Sequence, residues 1–185
     1  MCGFTFAGEE YLLPGVSGRH HWDIDQPRPL VGLNTGAGKR WTGRLMAPEN
    51  WTALSRELKA EGFGVMLLGG EDEDERNRQI ALQSEATYLG HYPLEDFVTL
   101  IDQCDLIATG VTMALHLALA LKKKVVLLNN IFNRHEFELY GRSVVIEPDE
   151  CQGCYMTTCP VNCLDSLETK TIALAVKKLL ADEHL

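Results

Sequence analysis

Leu30-Val31-Gly32-Leu33-Asn34-Thr35-Gly36-Ala37-Gly38-Lys39 is the stretch on which the fold class turns. Four apolar residues without polar alternation read as a strand buried on both faces, and the run empties into a polar, glycine-rich turn. The same pairing recurs downstream. Pro48 suits a helix first turn, Trp51, Leu54 and Leu58 share one face, and Gly62 is placed to stop the helix. Val65 to Leu68 is the next strand; Gly69-Gly70 then opens into Glu71-Asp72-Glu73-Asp74-Glu75, acids that the backbone dipole favours at the start of a helix running to about Ser84. A weak strand is expected at Thr87 to Leu89, followed by an amphipathic helix with Leu94, Phe97, Val98 and Ile101 on its stripe. Asp105 to Thr109 is a strand. Met113 to Leu121 is a helix with no polar face, expected to be buried on all sides. Lys124 to Leu128, a short helix from Arg134 to Tyr140, a strand at Val144 to Ile146 and a closing helix bearing Ile172, Val176, Leu179 and Leu180 complete the pattern.

Alternating strands and helices with short turns predict an α/β fold, a doubly wound, Rossmann-like parallel sheet with helices on both faces. Residues 1–29, punctuated by glycine and proline, read as a linker or lead-in, and residues 30–185 as one domain with a cysteine-rich tail at 151–163.

The chain has 185 residues, a formal net charge of −9 and 45% hydrophobic residues, the profile of a globular domain large enough to build its own core. Its acidity speaks against nucleic acid as a partner, because neutralising phosphates takes clustered cations and Lys122-Lys123-Lys124 is the one compact cluster. The longest apolar stretch, Met113 to Leu121, falls well short of the roughly 20 residues that span a bilayer. No secretory leader is visible at the start, so a cytoplasmic location is expected.

Ligands of doubly wound sheets bind beyond the carboxyl ends of the strands. Four loops fall there: Asn34 to Trp41, Gly69 to Glu73, Gly110 to His116 and Asn129 to His135. Thr35, Gly36 and Lys39 offer a hydroxyl, glycine-freed amides and a cation suited to a phosphate, although neither a P-loop nor a complete dinucleotide fingerprint is present; a solvated turn is the alternative. Glu71 or Glu73 is positioned to accept both hydroxyls of a ribose, against the alternative of a solvated helix start. Thr112 and Met113 begin a helix whose amides and dipole suit an anion, and His116 follows one turn on, either as a chemical group or as a hydrogen-bonded core histidine bracing the loop. Cys151, Cys154, Cys159 and Cys163 lie within thirteen positions and could converge on a structural zinc ion; free thiols or a Cys151/Cys154 redox pair are the alternatives.

These segments together resemble the carboxyl-terminal, donor-binding half of glycosyltransferase family 9, the bacterial heptosyltransferases of the lipopolysaccharide inner core. The similar pieces are Asn34 to Trp41, Leu68 to Glu73, Leu94 to Asp105, His116 to Leu121 and the cysteine-rich tail, in family order over about residues 30–180. The resemblance implies one half of a GT-B architecture and a nucleotide-diphospho-sugar donor of the ADP-heptose type. It implies that Thr35 and Lys39 meet the phosphates, Lys39 stabilising the leaving group, that Glu71 or Glu73 meets the ribose, and that amides near Thr112 and Met113 meet the diphosphate. His116 matches the family's histidine in that helix. No cofactor is required for such chemistry. The acceptor, a lipid-linked saccharide, and the catalytic base belong to an amino-terminal half without a counterpart here, so no catalytic residue is assigned in this half; association with the cytoplasmic face of the inner membrane also follows from the resemblance. Two departures stand out. Val111-Thr112-Met113 replaces the usual Asp-Ser/Thr-Gly, which removes a carboxylate from the donor site, and the chain is short. The alternative reading is a non-catalytic protein-association module with a decayed cleft, self-associating through the face that meets the missing half.

Overall fold

The computed structural model describes residues 7–13, 15, 21–38, 42–150, 152–158 and 161–182. Five strands form one parallel sheet: β1 (Leu30–Asn34), β2 (Gly64–Leu68), β3 (Leu106–Thr109), β4 (Lys124–Leu128) and β5 (Ser143–Ile146), in the order β2-β1-β3-β4-β5. The helices are α1 (Pro48–Ala60), α2 (Asp74–Ser84), α3 (Leu94–Asp102), α4 (Met113–Ala120) and α5 (Thr169–Ala181). This is the doubly wound α/β fold that the alternation predicts.

The inner stretches of the strands are apolar because both faces of the sheet are covered, with polar residues confined to strand ends. Val31, Leu33, Val65 and Leu67 point to a core shared with Trp51, Leu54 and Leu58 of α1, Ile80 of α2 and Ile172 and Val176 of α5. Leu30, Met66, Leu68 and Ile107 point to the opposite core, closed by α3 and α4. Alternation of side chains along each strand thus feeds two separate apolar layers. At Gly32 the fit leaves no room for a side chain: a Cβ would lie 2.6 Å from Ile107 Cδ1 and 2.8 Å from Cys104 Sγ. Helix α1 starts with Pro48 and ends where Gly62, at φ +89°, turns the chain back into β2, as expected from the position of these two residues.

Four local expectations are corrected. Thr87 to Leu89 forms no strand beyond a single parallel bridge between Thr87 and Met66, since the segment meets the sheet edge at one point. Arg134 to Tyr140 is a single 3₁₀ turn, Arg134–Glu136, capped by the Asn133 side chain; beyond it Phe137, Leu139 and Tyr140 leave the helical path and pack against the α3/α4 core. Leu94 in the first turn of α3 is 53% exposed, and Leu100 takes the buried position instead. Helix α4 is not enclosed on all sides: Ala114, Leu115, Ala118 and Leu119 face the sheet, whereas Met113 is 55% exposed and His116 is exposed. Its apolar composition reflects one packed face and one rim.

Among the described residues of 1–29, Glu10, Tyr11 and Trp22 make contacts with the body of the fold. Glu10 pairs bidentately with Arg142, at 3.0 Å for each bond, and the Tyr11 ring meets those of His116 and Tyr140 edge-on at 5.9 and 5.7 Å. Trp22 packs on Tyr92 at 4.9 Å and donates through Nε1 to Thr99 Oγ1.

Cys104 lies fully within the α3/α4 core, and desolvation pushes its thiol pKa up to about 12. Iodoacetamide at pH 8 should therefore leave Cys104 unmodified in the folded protein and label it in denaturant. Mass spectrometry of the peptide containing Cys104 reads this directly; rapid labelling of the native chain would contradict the packing described here.

Candidate functional site

The strand order reverses between β1 and β3, because the chain moves from β1 outward to β2 and then returns to the other side of β1. Loops leaving neighbouring strands in opposite directions separate at such a point and open a crevice at the carboxyl ends. A cleft of about 540 Å³ lies there, bounded by Asn34 and Gly36 to Gly38 after β1, by Gly69, Gly70 and Glu73 after β2, and by Val111 to Ala114 and His116 after β3. Arg44, Tyr92 and Phe97 close its sides.

Its floor is a buried polar network. Asn34 Nδ2 donates to Gly36 O at 3.2 Å, Thr109 Oγ1 at 3.0 Å and Thr112 Oγ1 at 3.2 Å. Thr112 also caps α4, its hydroxyl accepting from Ala114 N–H at 3.2 Å, so that the helix N-terminus opens on the cleft. One amide side chain thereby fixes the loop after β1 relative to the start of α4.

On the other wall, Glu73 reaches back from a 3₁₀ turn (Glu71–Glu73) and accepts from Gly70 N–H at 3.0 Å. Its side chain is 12% exposed, and Arg76 lies 3.9 Å away. The carboxylate packs on Gly36, where a Cβ would sit 2.8 Å from Glu73 Cδ. A side chain at 36 would push the Glu73 carboxylate aside. Glu71 is exposed on the same turn and does not line the cleft.

Thr35 takes a different direction from its neighbours. It is 2% exposed, its hydroxyl donates to Asn77 Oδ1 at 2.6 Å, and Arg76 donates to its carbonyl at 2.8 Å. The hydroxyl thus faces α2, and Thr35 is absent from the cleft lining. Gly36, Glu73, Thr112, Met113 and His116 do come together around the cleft. Lys39 lies outside the described residues, as do Cys151 and Cys159. Cys154 is half-buried, and Cys163 is buried with Sγ 3.1 Å from Asn130 Nδ2. Among the described residues, no group of three or more His, Cys, Asp or Glu side chains is arranged to hold a metal ion.

Sequence reading missed Asn34 as a network centre, Asn77 as the partner of Thr35, and Arg44 and Tyr92 as walls. A polar residue at the end of an apolar strand was a usable signal for Asn34. Asn77 and Arg44 carried none, because neither lies in a motif and both act across the fold. Burial lowers the pKa of both Arg44 and Arg76 from the ordinary arginine value, with Glu73 opposing the shift at Arg76. A guanidinium remains a cation at any working pH.

No helix among the described residues is long and apolar enough to cross a membrane. Residues 15–164 match the family described as glycosyltransferase family 9 (heptosyltransferase). Lipopolysaccharide heptosyltransferase 2 of Salmonella typhimurium LT2 is 31% identical over 118 residues, covering 58% of this chain and 32% of that protein. The Escherichia coli K12 protein of the same name is 28% identical over 120 residues, covering 59% and 33%. The matched segment of the chain thus covers about a third of the length of these curated relatives. Among solved structures, E. coli ADP-heptose LPS heptosyltransferase II superposes with a TM-score of 0.71 at 22% identity, over 88% of this chain and 49% of that one. A family 9 glycosyltransferase from Veillonella parvula gives 0.68 at 17% identity, over 82% and 45%. The dodecameric, iron-containing heptosyltransferase TibC, solved with ADP-D-beta-D-heptose, gives 0.63 at 19% identity, over 85% and 48%. These superpositions carry the fold, and the family match over most of the chain establishes that it belongs to glycosyltransferase family 9, the heptosyltransferase family.

Proposed function

We propose that this chain is the donor-binding half of a heptosyltransferase-type glycosyltransferase, holding a nucleotide-diphospho-sugar of the ADP-heptose class for transfer to a lipopolysaccharide-type acceptor. The observation that carries the reading is the convergence, at the strand-order reversal, of a glycine loop, a fixed carboxylate and the N-terminus of α4 in one cleft. Amides and a helix dipole suit a diphosphate, and Glu73, which lines the cleft where Glu71 does not, suits the two ribose hydroxyls. In the complete reaction a base from the other half takes the proton of the acceptor hydroxyl, the hydroxyl oxygen bonds to the anomeric carbon, and the nucleoside diphosphate departs with the electrons of the broken bond. This half stabilises the departing charge with Lys39 and the helix-terminal amides. The acceptor and the base are contributed elsewhere.

Calorimetric titration with ADP, UDP and GDP, repeated on Lys39→Ala, tests the proposal. ADP should bind, and the variant should bind about tenfold more weakly, the worth of one charge-assisted hydrogen bond. Binding of none of the three would sink the donor-site reading. Absence of binding together with a concentration-dependent oligomer would instead favour an association module. Efficient sugar transfer by the purified chain alone would contradict the restriction to the donor half.

A further inference from the structure

Arg44 sits on a 3₁₀ turn, Thr42–Arg44, that follows the glycine loop. The turn is anchored from below, since buried Asn130 donates to Gly43 O at 2.7 Å. The half-buried guanidinium lines the cleft, donates through one nitrogen to Ala37 O at 2.7 Å and through the other to Val111 O, and lies 5.6 Å from the Phe132 ring centroid. One side chain therefore grips the loops after β1, β3 and β4. The two carbonyls have a further significance. In a trans peptide the C=O and the following N–H point in opposite directions within one plane. Fixing Ala37 O fixes the Gly38 N–H, and fixing Val111 O fixes the Thr112 N–H. Gly38 holds its plane with φ at +70°, a conformation that suits glycine. Both residues line the cleft.

We propose that Arg44 is a positioning residue of the donor cleft: by holding the carbonyls of Ala37 and Val111, it turns the Gly38 and Thr112 amides away from itself as anion donors and keeps a cation beside the diphosphate. This rests on the donor-site reading above. Carbonyl oxygens left to swing toward a diphosphate would repel it, and a cation with restricted water access acts on a nearby anion through a lower effective dielectric. The guanidinium fork suits the task because its donors are set rigidly apart, which an ammonium cannot reproduce.

The test compares ADP with adenosine, which lacks the diphosphate, in the wild-type chain and in Arg44→Gln and Arg44→Lys. Arg44→Gln should lose about tenfold or more in ADP affinity while adenosine affinity changes by less than about twofold, and Arg44→Lys, which restores charge without the fork, should recover only part of the loss. With ADP bound, hydrogen exchange at the Gly38 and Thr112 amides should quicken in both variants relative to the wild-type complex. Equal weakening of ADP and adenosine, or unchanged ADP binding, would overturn the assignment. Should Arg44→Gln fail to fold, Arg44→Lys decides by the same selective loss. A wild-type chain that binds neither ligand refutes the donor-site reading and this inference together, whereas normal wild-type binding with indifferent variants refutes Arg44 alone.

Discussion

Replacing Glu73 by Ala should weaken ADP binding by about 50-fold, whereas Glu71→Ala should change it by no more than about twofold. The asymmetry follows from where two nearly adjacent acids lie. Glu73 is held by the Gly70 N–H, packs on Gly36 and lines the cleft, while Glu71 stands exposed on the same turn. A carboxylate already fixed in place loses little entropy when it accepts two ribose hydroxyls, and each hydrogen bond to a charged group contributes about 1.5–3 kcal/mol. Loss of part of this accounts for the factor, at 1.4 kcal/mol per tenfold. Gly36→Ala should shift affinity in the same direction by a smaller amount, because the new Cβ would lie 2.8 Å from Glu73 Cδ and displace the carboxylate rather than delete it. Calorimetry on the three variants settles the order. The reverse result for Glu71 and Glu73 would move the ribose contact to Glu71; equal, negligible effects would remove it from this turn.

Asn77→Leu is expected to lower stability by about 3 kcal/mol and the unfolding midpoint by about 6–12 °C, for a chain of this size. Asn77 is fully buried, accepts from the Thr35 hydroxyl at 2.6 Å and donates to Leu68 O at 3.3 Å. A leucine fills similar space but strands the Thr35 hydroxyl without an acceptor, and a polar group left unsatisfied in the interior costs its full desolvation. Thr35→Val combined with Asn77→Leu should recover much of the loss, since removing both partners leaves less polarity stranded. Thermal unfolding followed by circular dichroism measures both variants. A midpoint lowered by less than about 2 °C in the single variant would show that this bond does not hold the loop.

Thr35 illustrates how far local sequence reaches. As a hydroxyl in a glycine-rich turn after a strand it suits a phosphate, and nothing within several residues says otherwise. Its direction is decided by Asn77, 42 positions away, on a helix whose placement depends on the whole sheet. His116 shows the same limit from the other side. An apolar helix suggests burial around its circumference, but α4 lies at the rim of a cleft, so the histidine is exposed and meets the ring of Tyr11.

What the sequence by itself determined was the class of fold and which loops border the cleft. Apolar runs with no polar alternation demand strands covered on both faces, 3.6-residue periodicity demands helices packed on one side, and their alternation leaves a doubly wound parallel sheet as the answer. The loops at the carboxyl ends follow from that topology, which is why Gly36, Glu73, Thr112, Met113 and His116 are legible as neighbours in the sequence. Only the tertiary structure decided the strand order β2-β1-β3-β4-β5, the choice of Glu73 over Glu71 as cleft lining, and the contacts of Asn34, Arg44 and Asn77. These rest on contacts between residues far apart in the chain, and a hydrogen bond or a sheet register formed across such a distance leaves no periodicity or spacing for a sequence to display.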